Sequence, residues 1–292
     1  MRYEGAIFRP FSEASSYLLQ CTIGCSHNKC TFCGMYKDKK YRVRALDEII
    51  DDIHAAGRHY PDTEKVFLID GDAIEMETDA LMAILHELKA VFPLLRHVGT
   101  YVGPLSTLKK SLPELKALRE QGLTKAYLGV ETGNDKLLEE IHKGVNRADM
   151  LKAGQNLVEA GINLSAMVLL GISGEDKASV DHAIDTAEIC NAMRPNYLAA
   201  LTVTPVPGTI LYNRVRNGTF HVLEPLETLK EMKMMFENIT IDNLKFVGVH
   251  ASNYLPVNGT LQRDKKKMIE TVDKVLREGD RAILRDESMR GL

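Results

Sequence analysis

Four of the five cysteines in this 292-residue chain fall within the segment CTIGCSHNKCTFC (21–33). Cys25, Cys30 and Cys33 are spaced C-x4-C-x2-C, and Cys21 precedes them. Such close spacing lets one loop hold one metal centre, because thiolates are good ligands for iron and zinc. In a reducing compartment, clustered cysteines are more often metal ligands or redox catalysts than disulfide partners. The segment therefore predicts a metal or redox site.

Three kinds of site are compatible with these cysteines. Structural zinc usually needs a second ligand pair, and the chain contains no second CxxC and no HxxxH. A thioredoxin-like CxxC leaves Cys25 unexplained. A cubane iron-sulfur cluster held by Cys25, Cys30 and Cys33 leaves one iron open for another ligand. Spacing and context favour the cubane, with zinc and a redox dithiol as alternatives.

Short apolar runs alternate with longer helical patterns along the chain. Near-continuous apolar strands joined by helices are typical of a parallel sheet. The pattern predicts an α/β fold, either an open doubly wound sheet or a partial barrel. The predicted strands are 17–22, 65–69, 97–102, 125–130, 164–170 and 197–203, and the predicted helices between them are 46–57, 78–92, 112–122, 148–161 and 179–193.

Unusual residues follow five of these strands. The cysteine loop follows the first strand, Asp70-Gly71-Asp72 the second, Glu131 the fourth, LGISGE (170–175) the fifth and TPVPGT (204–209) the sixth. Both architectures place functional groups on the loops at the carboxyl ends of strands. We therefore expect these loops to meet at one edge of the sheet.

Composition and charge restrict the partners. Lys and Arg number 37 and Asp and Glu 40, so the net charge of -3 gives no reason to expect a nucleic-acid partner. No apolar run reaches eighteen residues, and the amino-terminal MRYEGAIFRPFSE lacks the order of a secretory signal. We expect a cytoplasmic protein without a membrane partner.

The βα alternation weakens beyond residue 220, where one helix (224–237), one strand (245–250) and a last helix (264–278) are predicted. We expect a core at 1–220, with its cluster loop at 23–40, and a cap at 221–292 in the same compact unit.

The segment HASNYLPVNGTLQRDK (250–265) is the least ordinary part of this cap. His250, Asn253 and Tyr254 are candidates for contacting a substrate. A turn-rich cap needs the same residue types for its geometry, and this second interpretation is preferred.

The segment GCSHNKCTFCGMYKDKKYRVR (24–44) resembles the cluster loop of radical S-adenosylmethionine (SAM) enzymes. Their last two cluster cysteines flank an aromatic residue, here Phe32, although their commonest spacing is C-x3-C-x2-C. The resemblance reaches about residue 215. It implies a partial (β/α)6 TIM-like barrel with parallel strands and, here, a short C-terminal cap.

The resemblance also implies the cofactors. A [4Fe-4S] cluster would be held by Cys25, Cys30 and Cys33, with SAM at the open iron, while Cys21 packs in the first strand. Cys190 lies outside the cluster loop. An external one-electron reductant of the flavodoxin or ferredoxin type would drive reductive cleavage of SAM to a 5′-deoxyadenosyl radical.

The SAM site is implied position by position. Asp70, Gly71 and Asp72 stand where many members have a Gly-Gly-Glu type motif, and Asp72 would bind the SAM ammonium. Glu131, in GVETG, stands where a polar residue faces the ribose or the methionine. Lys143 stands where a base contacts the SAM carboxylate.

The resemblance to radical SAM enzymes extends to further positions. Arg147 is a neighbouring alternative to Lys143. Gly171, in LGISGE, stands in the glycine-rich turn beside the adenine, and TPVPGT lines the adenine pocket. Met167 stands near the place of an acid in some relatives, so one ribose contact is not implied.

The superfamily covers many reactions, so the resemblance implies the first half-reaction and not the substrate. A small-molecule substrate is expected, because the chain has no additional cysteine cluster and no RNA-binding appendage. The alternative is a non-catalytic iron-sulfur or zinc protein on the same barrel, acting as a sensor, an electron carrier or a scaffold. Candidate SAM contacts on four separate loops favour the enzyme.

Overall fold

The computed structural model describes residues 2–174, 176–279 and 281–291. The strands are β1 (Tyr17–Gln20), β2 (Thr22–Ile23), β3 (Arg42–Val43), β4 (Lys65–Ile69), β5 (His97–Val102), β6 (Lys125–Glu131), β7 (Asn163–Leu170), β8 (Tyr197–Thr202), β9 (Leu244–Gly248) and β10 (Val257–Leu261). The helices are α1 (Leu46–His59), α2 (Thr78–Val91), α3 (Pro104–Lys109), α4 (Leu112–Gln121), α5 (Asp135–Glu140), α6 (Arg147–Glu159), α7 (Asp176–Met193), α8 (Ile210–Arg216), α9 (Pro225–Asn238) and α10 (Lys265–Glu278). Their alternation confirms the predicted α/β class.

The chain divides into two compact units that are interleaved along the sequence. The first comprises Met1–Asn28, Met35–Leu128 and Lys152–Leu164, and the second comprises Lys29–Gly34, Gly129–Leu151 and Ser165–Leu292. The predicted division into a core (1–220) and a cap (221–292) stays a prediction. Strands β6 and β7 each contribute residues to both units.

Parallel strands in the order β1-β4-β5-β6 organise the first unit. The register pairs Gln20 with Ile69 and Leu68 with Thr100. Strand β4 is buried from Val66 onward, as its continuous apolar sequence predicts for a parallel sheet. This register places the carboxyl ends of β1 and β4 side by side. The cysteine loop therefore starts next to Asp70.

In the second unit, β7, β8 and β9 are parallel, and β10 is antiparallel to β9. The register aligns Ala199 with Met167 on one side and with Val247 on the other. The carboxyl ends of these three parallel strands consequently lie at one edge. The segments that begin at this edge are LGISGE, TPVPGT and the stretch that contains His250.

Some elements differ from the sequence-based expectation. The short helices α3, α5 and α8 are not predicted, because six or seven residues show no clear apolar period. Strand β10 is not predicted either, because its sequence VNGTL contains Asn and Gly, which are weak strand formers. Strand β9 ends at Gly248, so His250 follows the strand and is not part of it.

Glu175, the last residue of LGISGE, lies outside the described residues. Within the described ranges, no helix combines the length and apolar character needed to cross a membrane.

We predict that Phe246→Ala destabilises the protein by about 3–5 kcal/mol, because it removes a fully buried ring. Phe246 packs edge-on against Phe236 of α9, with the ring centroids 4.7 Å apart. The free energy of unfolding in urea measures the loss. Val247→Thr, on the exposed face of the same strand, is the matched control and should change stability by less than about 0.5 kcal/mol. Equal losses in both variants would contradict the packing of α9 on β9.

Candidate active site

The carboxylate of Asp70 contacts the start of the cysteine loop. Its Oδ2 accepts hydrogen bonds from the Gly24 amide at 2.7 Å and from the Gln20 side chain at 3.1 Å. Lys39 donates to both carboxylate oxygens, at 2.9 and 3.1 Å. Asp70 is fully buried and has a φ of +68°, which is uncommon for a residue other than glycine. Asp70 thus holds Gly24, the residue that precedes Cys25.

Asp72 contacts the loop on the other side of Cys25. It accepts hydrogen bonds from the Ser26 hydroxyl, from the Gly103 amide at 2.9 Å and from the Ser106 hydroxyl at 2.7 Å. Burial raises the pKa of Asp72, and these hydrogen bonds act in the opposite direction. The carboxylate is 1% exposed. Its role as a SAM ammonium ligand stays a prediction, and its contacts indicate a second task of fixing Ser26.

Gly71 lies against Cys25 itself. A Cβ atom at position 71 would stand 2.6 Å from the Cys25 Cβ and 2.9 Å from the Tyr36 ring. The Gly71 amide also donates to the Gly24 carbonyl at 2.9 Å. Only glycine fits here, because any side chain would displace Cys25. The Asp-Gly-Asp motif therefore fixes the residues on both sides of Cys25 and the space around it.

The other two loop cysteines lie in a segment that is anchored within the second unit. The Thr31 amide donates to the Ile141 carbonyl at 3.0 Å, and the Leu211 amide donates to the Thr31 carbonyl at 3.0 Å. Phe32, between Cys30 and Cys33, packs against a buried apolar cluster made of Ile141, Leu169, Ile172, Val203, Leu211 and Phe220. The aromatic residue of the motif thus serves as a packing anchor.

The five cysteines fall into two groups. All are reduced, and Cys25, Cys30 and Cys33 are half-buried, whereas Cys21 and Cys190 are fully buried. Burial raises the pKa of both buried thiols to about 12. They are consequently neutral at physiological pH and lack the thiolate form that binds metals.

An iron-sulfur cluster and a single metal ion require different arrangements of ligands. Among the described residues, no three His, Cys, Asp or Glu side chains form a group able to hold a single metal ion. In a cubane each thiolate binds its own iron, so the fit depends on the donors and their backbone. The half-buried thiols of Cys25, Cys30 and Cys33 are donors of the required chemistry.

Glu131 and Lys143 form an ion pair within the second unit. The Lys143 Nζ donates to the Glu131 Oε1 at 2.8 Å, and the side chains are 10% and 12% exposed. A Cβ at Gly129 would lie 2.2 Å from that oxygen and 3.0 Å from the Lys143 nitrogen. The glycine of GVETG therefore makes room for the pair. The structure thus brings together two of the predicted SAM contacts.

Arg147, the alternative to Lys143, lies elsewhere. Its guanidinium contacts Asp185 at 3.3 Å and Glu188 at 2.9 Å on α7. These contacts give Arg147 the role of joining α6 to α7.

The turn after β7 is supported from α9. The Gly171 amide donates to the buried carboxylate of Glu231 at 2.7 Å, and Ser179 donates to the same carboxylate. Gly171 has a φ of +78°, which glycine adopts without strain. His182 lies 3.6 Å from Glu231 and 2.8 Å from the Thr132 hydroxyl, next to Glu131. A buried polar network therefore joins the turn at Gly171 to the segment at Glu131.

His250 has a defined tautomer. The Thr202 amide donates to the Ser252 hydroxyl oxygen, which directs the hydroxyl hydrogen toward the His250 Nδ1, 2.9 Å away. The Ser252 amide also donates to Nδ1, at 3.1 Å. Burial and the charge of Arg285 lower the pKa of His250, so the ring is neutral at pH 7. Its proton is consequently on Nε2, for which the described residues provide no hydrogen-bond acceptor.

The other two candidates of this segment have structural partners. Asn253 is fully buried, donates to the Ala200 and Gly248 carbonyls and accepts from Thr202. Tyr254 is hydrogen-bonded to Glu287, and the Arg290 guanidinium lies 4.0 Å from its ring centroid. Asn253 joins β8 to β9, and Tyr254 contacts Glu287 and Arg290. Their catalytic roles stay predictions.

Sequence reasoning missed four supporting side chains, namely Ser26, Lys39, Ser106 and Glu231. Ser26 and Lys39 lie in the cluster-loop segment (24–44), so their proximity to the cysteines was a signal that could have identified them. Ser106 and Glu231 are far along the chain from the residues they support, and no spacing rule identifies them.

We predict that N-ethylmaleimide labels three cysteines of the metal-free, reduced protein at pH 8 and spares Cys21 and Cys190. A pKa of about 12 leaves on the order of one thiol in ten thousand ionised at that pH, and only the thiolate reacts. Mass spectrometry of peptides identifies the modified residues. Labelling in denaturant is the control and should reach all five. Fast labelling of Cys21 in the folded protein would contradict its burial.

The chain is similar to several proteins of known structure or sequence. The chain is 25% identical to the heme chaperone HemW of Bacillus subtilis over 210 residues, which are 71% of this chain and 53% of HemW. It therefore spans about half the length of that relative. Among solved structures, methylornithine synthase (PylB) superimposes with a TM-score of 0.55 at 16% identity, covering 91% of this chain and 83% of PylB.

A second solved structure is the radical SAM methyltransferase TsrM of Kitasatospora setae, with bound cobalamin and a [4Fe-4S] cluster. Its TM-score is 0.55 at 16% identity, over 67% of this chain and 38% of TsrM. These likenesses show the fold and confirm the expected partial-barrel type. The Radical SAM superfamily profile matches residues 19–187, which include the cysteine loop, Asp-Gly-Asp and the Glu131–Lys143 pair. Because this match covers more than half of the sequence, the chain belongs to the radical SAM superfamily.

Proposed function

We propose that this enzyme cleaves SAM reductively and uses the resulting 5′-deoxyadenosyl radical on a small-molecule substrate. Family membership assigns a [4Fe-4S] cluster and SAM as its cofactors. We assign Cys25, Cys30 and Cys33 as the cluster ligands. These residues would hold a cluster that supplies the electron for SAM cleavage, and the other residues of the site would bind and orient SAM.

The observation that carries this proposal is the fixed backbone around Cys25. Asp70 and Asp72 hold Gly24 and Ser26, and Gly71 leaves the space that Cys25 occupies. A loop whose thiol is fixed before the metal arrives loses little conformational freedom on binding. The thiols of Cys30 and Cys33 are carried by the segment that Phe32 anchors.

Glu131 and Lys143 supply an acceptor and a donor for SAM. The Glu131 carboxylate has a second oxygen for ribose hydroxyls, since only Oε1 receives Lys143 in the described contacts. Lys143 carries the positive charge that a SAM carboxylate requires. Their mutual ion pair keeps both groups ordered before SAM binds, which reduces the entropic cost of binding.

The names of the relatives do not identify the substrate of this chain. Their names describe different tasks, a heme chaperone, methylornithine synthase and a methyltransferase, on one kind of fold. A small molecule agrees with the net charge of -3. We assign the His250 Nε2 proton as a hydrogen-bond donor to an acceptor atom of this substrate. An external reductant of the flavodoxin or ferredoxin type and a cytoplasmic location complete the proposal.

We predict that anaerobically reconstituted protein releases 5′-deoxyadenosine from SAM when dithionite is added, as measured by chromatography. Alanine at Cys25, Cys30 or Cys33 should abolish both cluster uptake and product. Cys21→Ala is the matched control and should keep most of each, because Cys21 is buried as a neutral thiol.

Two results would contradict this prediction. Equal loss of the cluster in Cys21→Ala would overturn the ligand assignment. A confirmed cluster without any 5′-deoxyadenosine would favour the alternative of a non-catalytic sensor, electron carrier or scaffold. Bound zinc in place of iron would do the same, and metal analysis distinguishes the two.

We predict that Glu131→Gln and Lys143→Gln each raise the Kd for SAM about tenfold or more, because each replaces a charged hydrogen-bonding group by a neutral one, and hydrogen bonds to charged groups contribute about 1.5–3 kcal/mol. Titration calorimetry of the cluster-loaded protein measures the Kd. Arg147→Gln is the control, since its partners are on α7. A larger effect at Arg147 than at Lys143 would indicate that Arg147, and not Lys143, binds the SAM carboxylate.

A further inference from the structure

Lys39 is an unusually buried lysine six residues beyond Cys33. Its side chain is 5% exposed, and its Nζ donates to Asp70 and to the Ala6 carbonyl, the latter at 2.6 Å. Lysine is almost never buried to this extent unless it is paired. The run MYKDKK, which belongs to the cluster-loop resemblance, therefore contains a lysine committed to an internal partner.

That partner connects Lys39 to the cluster loop. Asp70 receives Lys39 at 2.9 Å and receives the Gly24 amide at 2.7 Å through the same oxygen. A carboxylate with no solvent exposure needs donors for its oxygens, and a cation among those donors also compensates its charge. Lys39 is that cation. Its removal would loosen Asp70 and release the Gly24 amide.

We propose that Lys39 and Asp70 are positioning residues for Cys25. This inference rests on the proposed function, in which Cys25 binds an iron of the cluster. The pair orients the Gly24 backbone, which precedes the Cys25 thiol that would bind the cluster. Neither residue touches the cluster or SAM in this role. Lys39 acts only through Asp70, and Asp70 acts through Gly24.

A second buried ion pair in the same unit provides a control. It distinguishes an effect on the position of Cys25 from a general loss of stability. Arg44 and Asp52 lie 2.8 Å apart, and both side chains are 5% exposed. Arg44 also donates to the Gln20 carbonyl at 2.7 Å. In the described contacts this pair does not reach Gly24, Cys25 or Ser26. Its loss should therefore weaken the fold without moving the cluster loop.

The experiment compares Lys39→Met with Arg44→Met in the full chain, reconstituted anaerobically. Iron release to the chelator bathophenanthroline disulfonate and the EPR spectrum of the reduced cluster are measured, along with thermal unfolding of the metal-free protein. Lys39→Met should release iron about tenfold faster than wild type, the usual effect of losing a support behind a metal ligand, and should alter the EPR signal. Arg44→Met should lower the unfolding temperature but release iron at the wild-type rate.

The double variant Lys39→Met/Asp70→Asn tests the route through Gly24. It has no buried charge at positions 39 and 70, and the Asn oxygen still accepts the Gly24 amide, so most of the iron retention should return. The double variant also decides the question if Lys39→Met alone does not fold.

Equal iron release in Lys39→Met and Arg44→Met, or no recovery in the folded double variant, would overturn the positioning role. These outcomes are distinct from failure of the proposed function, which would appear as a wild-type protein that takes up no cluster at all.

Discussion

The structure of the first unit depends on one buried carboxylate, that of Asp70. A charge with no access to water must be surrounded by donors, and its donors here come from three separate segments: Gln20, Gly24 and Lys39. The requirement to satisfy this charge therefore fixes the end of β1, the start of the cysteine loop and the run after it. The left-handed backbone of Asp70 is held by the same contacts.

Largely buried carboxylates with fixed partners also support loops that leave the strands in the second unit. Glu131 is paired with Lys143, and Glu231 accepts hydrogen bonds from the Gly171 amide and the Ser179 hydroxyl. Such pairs add little net stability compared with apolar packing, but they admit few alternative arrangements. Rigid loops suit an enzyme that must orient a cofactor, and the apolar strands supply the stability that these loops lack.

The fold was largely predictable from the sequence. The spacing of apolar residues indicates the strands and helices, and their order along the chain indicates a parallel sheet. All six early strands and the five helices between them are present, and the loops chosen for their chemistry follow strands as expected. The contacts of Asp72 with Ser106, and of Gly171 with Glu231, were not predictable. They join residues far apart in sequence, and a serine or a glutamate on a helix has no pattern that reveals a buried partner.

The role of Asn253 was also not predictable from the sequence. Its polar side chain suggested a substrate contact, yet its amide satisfies backbone groups of two neighbouring strands. A sequence cannot tell an amide that faces a ligand from one that replaces a missing strand pairing, because both need the same donors and acceptors.

The bare backbone at Gly71 also has an evolutionary consequence. A gene duplicate of this enzyme could change its substrate through substitutions at other positions of the chain. Position 71 offers no comparable freedom, since even one added carbon meets Cys25 at 2.6 Å. Diverging copies should therefore retain this glycine for as long as they retain the metal chemistry, whatever molecule they come to act on.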